Sequence, residues 1–308
     1  MRSVIIGTRG SSLAMCQAQI VQTKLEERVS GRTFQLQTIK AQADKNPELS
    51  LTAMTGEGVF VKELEAALLD GRIDLAVHSM KDLPLDIPSG LRIAAVLERE
   101  EPRDAFVSRS GAMFDQLPNG SRIGTSSLRR RSQLLHRRRD LQMLEIRGNV
   151  DTRLRKLEQG QFDAILLAAC GMQRLGLSGR ISEYLDPSWM LPEPGQGALA
   201  IETRTDDSRI NPIVAALDHT ESRICVEAER AFLERLGGGC RVPIAAYAVT
   251  EKAAVTGKDV LKIDGAVVSA DGRRRLGGCL SGAVEKAHWL GKALADELLA
   301  QGARELLD

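Results

Sequence analysis

The segment SRIGTSSLRRRSQLLHRRRDLQMLEIRGNVDTRLRKLEQGQFDAILLAA, residues 121–169, decides the fold. It opens with a short strand that turns into a helix through GTSS. LQMLEIRG (141–148) is a second strand, NVDTRLRKLEQG (149–160) a helix, and FDAILLAA (162–169) a buried strand. Strands that alternate with helices predict a mostly parallel sheet. DAFVSR (104–109) precedes this run as a further strand, and together they make one α/β unit over 98–197.

The same pattern runs once before it. SVIIGT (3–8) reads as a buried strand, followed by a helix from a Ser11 or Ser12 N-cap to about Arg28. Phe34–Lys40 alternates like a strand, and residues 58–70 form a helix ended by Gly71. Asp74–His78 and Leu91–Leu97 are two more apolar strands. Downstream, PEPGQGA (192–198) is punctuated by Pro and Gly, so no helix continues through it and it reads as a crossing segment. LAIETR (199–204) is a strand that could return to the first sheet. From about Thr220 the character changes: a helix (222–237), the loop LGGGC (236–240), short strands at 243–250 and 260–269, and a last helix from Val284 to Ala300. The expected fold class is α/β: two lobes with mostly parallel sheets, 1–97 with 198–217 and 98–197, then a small α+β domain over 218–308.

Composition fits this division. A chain of 308 residues suits two or three domains of roughly 100–150 residues each. Apolar residues at 43% and charged residues at 27% are ordinary for a folded protein. Forty-two basic residues against 41 acidic ones leave +1, which argues against a surface that clings to nucleic acid or anionic lipid. Aromatics at 3% weaken any base-stacking platform. No run of about 18 apolar residues is present, and MRSVIIGTRGSS lacks the pattern of a signal peptide, so the expected location is the cytoplasm, with no membrane partner. The five cysteines are odd in number and form no CxxC pair, so neither a disulfide framework nor a metal site is expected. Cys16, Cys170, Cys225 and Cys279 sit in apolar contexts and read as small buried hydrophobes. Cys240 follows three glycines and stands apart.

Basic charge is uneven. Between residues 120 and 155 there are ten arginines, no lysine and three acids, a local charge of +7. Arginine suits bidentate binding of carboxylate or phosphate. Three strand-to-helix turns, GTRGSS (7–12), HSMKD (78–82) and GTSS (124–127), each place hydroxyl groups and free N–H groups where an anion could sit. Taken singly, each is most simply a helix cap; together they favour an anion-binding cleft at the carboxyl ends of the strands. Arg129, Arg130 and Arg131 begin a helix about 100° apart, so at most two face one way. Cations there oppose the helix dipole, which leaves them no local stabilising role. Arg137, Arg138 and Arg139 lie at the helix end, where dipole and solvent explain them. Arg147 follows a strand, Arg153 lies about one turn into the next helix, and Arg174 follows the last strand of this unit at a similar depth. Asp82 is either an ordinary turn acid before Pro84 or a carboxylate that stabilises a developing cation. Cys240, sterically open among glycines, suits a nucleophile or attachment point.

HSMKDLP, GTSSLRR, RGNVDTRL, DAILLAACGMQRLG, PGQGALAIE and ERAFLERLGGGCRVP occur in one order and spacing along nearly the whole chain. In this the chain resembles the porphobilinogen deaminase, or hydroxymethylbilane synthase, family. The resemblance implies two periplasmic-binding-protein-like lobes with the active site between them, and a third domain that carries the cofactor. It implies a transferase of tetrapyrrole (heme) biosynthesis that joins four porphobilinogen molecules head to tail, with loss of ammonia, on a dipyrromethane primer. Water then releases hydroxymethylbilane. It implies that Cys240 holds the dipyrromethane through a thioether, and that Asp82 is catalytic, accepting pyrrole N–H bonds and stabilising the azafulvene cation. Lys81, Asp82, Ser79, Thr125, Ser127, Arg129, Arg130 and Arg147 match cofactor-binding positions, with Ser126 among the polar turn residues. Arg9, Ser11, Phe60, Arg147, Arg153, Arg174 and Gln196 match substrate-binding or hinge positions. A monomer is implied, with product passed to uroporphyrinogen-III synthase. Two departures stand out: Glu57 occupies a position where relatives often carry a basic residue, and Cys170 replaces a small one. Two other classes compete with this one. A non-catalytic two-lobed anion-binding protein leaves LGGGC unexplained, and a nucleic-acid binder conflicts with the net charge.

Overall fold

The computed structural model describes residues 3–39, 61–238, 242–252 and 259–307. The first run of elements is β1 (Val4–Thr8), α1 (Ser12–Arg28), β2 (Phe34–Thr38), α2 (Lys62–Leu69), β3 (Leu75–Ser79) and β4 (Leu91–Val96). The second is β5 (Asp104–Ser108), β6 (Arg122–Gly124), α3 (Leu128–Arg137), β7 (Gln142–Leu144), α4 (Val150–Glu158), β8 (Ala164–Ala168), α5 (Ala169–Arg174) and β9 (Glu183–Tyr184). The third is β10 (Leu199–Arg204), α6 (Asn211–Ala215), α7 (Thr220–Arg235), β11 (Ile244–Lys252), β12 (Asp259–Val268), β13 (Arg275–Ala283) and α8 (Ala287–Ala300).

Two compact units result. One comprises Met1–Arg99 with Ala198–Arg223, the other Glu100–Gly197 with Ile224–Asp308. In the first unit the strand order is β2-β1-β3-β10-β4. β1 pairs parallel with β2 and β3, while β10 runs antiparallel to both β3 and β4. LAIETR therefore does return to the first sheet. Val4, Ile6, Leu75, Val77 and Ile201 point to one face and pack with Val21 and Leu25 of α1. Leu64 and Leu68 of α2 pack with Ile73 and Ala76 on other buried contacts of the sheet. Burying one such side chain is worth roughly 1.5–3 kcal/mol, and Ile6→Ala would cost about 2–5 kcal/mol.

The second unit repeats the design. Its sheet order is β7-β6-β8-β5-β9, with β6 parallel to β7 and β8 and with β5 antiparallel to β8 and β9. Each five-stranded sheet thus has four strands in one direction and a single strand reversed. The reversed strand is the one that enters from, or returns after, the other segment of the chain. The unit also holds an antiparallel sheet, β11-β12-β13, backed by α7 and α8 around Phe232, Ile263, Leu294 and Leu298. The two helices touch closely: a Cβ on Gly291 would lie 2.1 Å from the Ala228 carbonyl oxygen.

Four local expectations are corrected. HSMKD does not start an α-helix; Met80–Asp82 form a single 3₁₀ turn, after which Leu83 is extended (φ −75°, ψ 131°). Pro84 disfavours the helical region at the residue before it. The final helix starts at Ala287 and not at Val284, because residues 284–286 form a 3₁₀ turn. β13 was not expected from the sequence at all. Cys170 and Cys225 are buried, but Cys279, on β13, is exposed.

Candidate active site

In the first unit, the positions expected to be functional gather at the carboxyl ends of β1 and β3. Thr8 ends β1, and its Oγ1 donates to the Ala14 carbonyl at 2.9 Å, folding the RGSS turn onto the first turn of α1. Ser11 is the N-cap of α1 and accepts from the Ala14 N–H at 3.3 Å. Arg9 sits half-buried in the same turn. Ser79 ends β3 and accepts from Gln17 Nε2 of α1 at 2.8 Å, so one hydrogen bond ties the two turns together. Lys81 is half-buried and Asp82 exposed on the 3₁₀ turn that follows. The same strand carries His78, whose Nε2 lies 3.0 Å from Glu202 Oε2 of β10; both are buried. Glu65 of α2 is buried near this pair. Loss of hydration and the Glu202 charge raise its carboxyl above the ordinary range.

In the second unit the positions lie at the carboxyl ends of β6, β7 and β8. Ser127 caps α3, accepting from the Arg130 N–H at 3.4 Å, and the buried Thr125 accepts from the Ser127 N–H at 3.2 Å. Ser126 donates to the Ile146 carbonyl at 2.5 Å, joining this turn to the segment after β7. Arg129 and Arg130 both converge on Asp104, at 2.7 Å and 2.8 Å, while Arg131 is exposed. Asp104 is fully buried. Burial alone would raise its carboxyl, but the charges of Arg129 and Arg130 and the hydrogen bonds from Arg129 and Gln196 hold it well below the usual range. Gln196 Nε2 donates to Asp104 Oδ1 at 3.0 Å and to the Pro102 carbonyl at 2.7 Å. Arg147 pairs with the exposed Glu145. Arg174, with a side chain 4% exposed, pairs with Glu100 at 2.9 Å and donates to the Gly197 carbonyl at 2.8 Å.

Arg153, on α4, is the odd member. Its Nε donates to the Gly148 carbonyl at 2.7 Å, and among the described residues it pairs with no carboxylate. Loss of hydration, then the charges of Arg130 and Arg147, pull its guanidinium down to about 10.

The structure thus brings Arg130, Arg147 and Arg153 together electrostatically, and Arg9, Ser11, Ser79, Lys81 and Asp82 onto neighbouring turns of the first unit. Arg129 faces inward to Asp104. Arg174 lies with Glu100 and Gly197. Phe60, Cys240 and Glu57 fall outside the described residues. Sequence reasoning missed Asp104, Glu202 and Gln133; the last clamps Leu191 by bonds of 3.0 Å to both its N–H and its carbonyl. An acid that opens an otherwise apolar strand was the available signal for Asp104. Among Arg137–Arg139, Arg138 is more than a solvated end. Its Nη1 donates to the Phe114 and Leu117 carbonyls at 3.2 Å and 2.9 Å.

Donor-rich turns at strand ends and a set of arginines with too few acids define an α/β protein built to hold a polycarboxylate. Comparison with known proteins narrows this class. Residues 4–212 match the family model "Porphobilinogen deaminase, dipyromethane cofactor binding domain", and residues 223–300 match "Porphobilinogen deaminase, C-terminal domain". The chain is 47% identical to the porphobilinogen deaminase of Pelobacter propionicus, covering 100% of this chain and 97% of that one. It is 48% identical to that of Nitratidesulfovibrio vulgaris strain DP4 (100% and 96%) and 50% identical to that of Geobacter metallireducens (98% and 93%). Among solved structures it is similar to a nutrient binding protein from Burkholderia cenocepacia bound to methionine, at 13% identity and TM-score 0.44, over 68% of this chain and 89% of that one. The chain belongs to the porphobilinogen deaminase family.

Proposed function

We infer that the chain is a porphobilinogen deaminase, a transferase of tetrapyrrole biosynthesis. It joins four porphobilinogen molecules head to tail, releasing ammonia from each, and frees hydroxymethylbilane with water. The observation that carries this reading is the cluster of Arg130, Arg147 and Arg153, whose positive charge exceeds what its acids neutralise. The donor chemistry fits dipyrromethane, whose rings each carry an acetate and a propionate. When bound, that group supplies the free ring carbon on which the chain grows.

Arg130, Arg147, Lys81, Ser79, Thr125 and Ser127 are assigned to holding the cofactor, Arg130 and Arg147 also to early substrate binding, Cys240 to attaching the cofactor, and Arg129 to the buried contact with Asp104 behind Arg130. Arg9, Ser11, Phe60, Arg147, Arg153, Arg174 and Gln196 are assigned to the substrate. Guanidinium forks take carboxylates in parallel N–H bonds, which fixes each ring as well as binding it. Asp82 is assigned the chemical step. As the aminomethyl C–N bond breaks, ammonia leaves with the bonding pair and positive charge spreads over the pyrrole. A carboxylate that accepts the ring N–H stabilises that charge as it develops.

The division into two lobes and a third domain over 218–308 is supported by the separate core of the three-stranded sheet. Among the described residues no helix is long and apolar enough to cross a membrane. A cytoplasmic monomer that passes its product to uroporphyrinogen-III synthase completes the reading. Incubation with porphobilinogen tests it: ammonia and a linear tetrapyrrole should appear in a ratio of four to one. Consumption without ammonia release would refute it.

A further inference from the structure

Asp104 opens β5 with 0% exposure. Its Oδ2 accepts from Arg129 Nη1 at 2.7 Å. Its Oδ1 accepts from Arg129 Nη2 at 3.2 Å, Arg130 Nε at 3.0 Å, Arg130 Nη2 at 2.8 Å and Gln196 Nε2 at 3.0 Å. A buried carboxylate needs a cation, but one arginine meets that need. Asp104 is shared by two guanidiniums, and the charge of Glu193 acts on Arg129 as well, so Arg130 depends on Asp104.

The two arginines are not equivalent. Arg129 has a side chain 3% exposed, and its Nη1 also donates to the Leu191 carbonyl at 2.7 Å. It is absorbed by the wall. Arg130 lays Nε and Nη2 on Asp104 and sends Nη1 to the Leu166 carbonyl at 3.3 Å, and its charge is felt at Arg153. Three sides of its guanidinium are thereby fixed within the cluster that has charge to spare.

We propose that Asp104 is a positioning residue for the reaction: it holds the Arg130 guanidinium in place for a ligand carboxylate, and Arg129 keeps Asp104 itself in place. This rests on the reading of the arginine cluster as the binder of pyrrole carboxylates. Asp104 touches no reacting atom, so its effect is on capture and not on bond breaking.

The test uses holoenzyme carrying Asp104→Asn or Asp104→Glu, with the folded fraction measured by circular dichroism and cofactor loading by intact mass. Asn removes the charge that two guanidiniums share. Glu keeps the charge but moves it by one methylene. The expected result is a KM for porphobilinogen about tenfold higher in Asp104→Asn, a smaller rise in Asp104→Glu, and a kcat per folded, loaded enzyme within about threefold of the parent. A folded Asp104→Asn chain that fails to load cofactor also supports the proposal, because the same carboxylates are then not held. A structural role alone would lower the folded fraction and leave KM unchanged. KM within threefold of the parent in loaded Asp104→Asn overturns the proposal. If that variant does not fold, Asp104→Glu decides: an unchanged KM, or failure of both variants to fold, overturns it. If the parent releases no ammonia from porphobilinogen, the functional reading fails first. An active parent with unchanged KM in the variants removes Asp104 alone.

Discussion

Replacing Arg153 with Gln should weaken substrate capture without weakening the fold, an unusual pair of effects. Among the described residues the Arg153 side chain makes one hydrogen bond, to the Gly148 carbonyl at 2.7 Å, and pairs with no carboxylate. Gln keeps a donor for that carbonyl and is nearly as good a helix former within α4. What is lost is one charge-assisted contact to a ligand carboxylate, roughly 1.5–3 kcal/mol, or about ten- to a hundredfold in affinity. What is gained is relief from Arg130 and Arg147, the charges that help pull Arg153 down to about 10. The melting temperature without substrate should therefore stay level or rise, while KM for porphobilinogen rises at least tenfold. Steady-state ammonia release and a thermal melt of the same preparation give both numbers. A large fall in melting temperature with unchanged KM would show that Arg153 serves the fold and not a ligand.

Three further outcomes follow from the same contacts. Arg138→Ala strips donors from the Phe114 and Leu117 carbonyls, so it should cost about 2 kcal/mol and roughly 4–8 °C in melting temperature, with turnover normal below the transition; an unchanged melt would return Arg138 to the solvent. Asp104 has a depressed carboxyl in the folded state, so its stabilisation is complete above the unfolded value near about pH 4 and is lost as pH falls below it. Urea melts of the parent should weaken steeply from about pH 4 to 2, and those of Asp104→Asn much less; parallel curves would contradict the assignment. Asp82→Asn should bind porphobilinogen yet release ammonia about a hundred- to a thousandfold more slowly in a single turnover, with Asp82→Glu less affected. Near-normal release by the Asn variant would remove Asp82 from the mechanism.

The strands and the turns that follow them were legible because their signals are local. An apolar run followed by Gly, Ser and Thr places a strand end and a helix cap within a few residues, as at Ser11 and Ser127. The arginine excess was legible for the same reason. Which arginine meets which acid was not. Arg129 and Arg130 find Asp104 across 25 and 26 residues, and Gln196 finds it across 92. His78 finds Glu202 across 124. Those pairings depend on the reversed strand in each sheet, which no periodicity announces. β13 escaped because its glycines lower strand propensity. In the fold they serve packing: a Cβ on Gly278 would sit 3.0 Å from Leu294 of α8. Arg138 looked like a solvated helix end because backbone carbonyls brought near by tertiary structure leave no mark in sequence.

Intact mass of the purified chain shows whether this deaminase carries its own dipyrromethane on Cys240. The expected species is heavier than the 33.5 kDa polypeptide by two linked pyrrole units, with the added mass mapping to the Cys240 peptide and absent from Cys240→Ser. A fully active protein at the unmodified mass would contradict it.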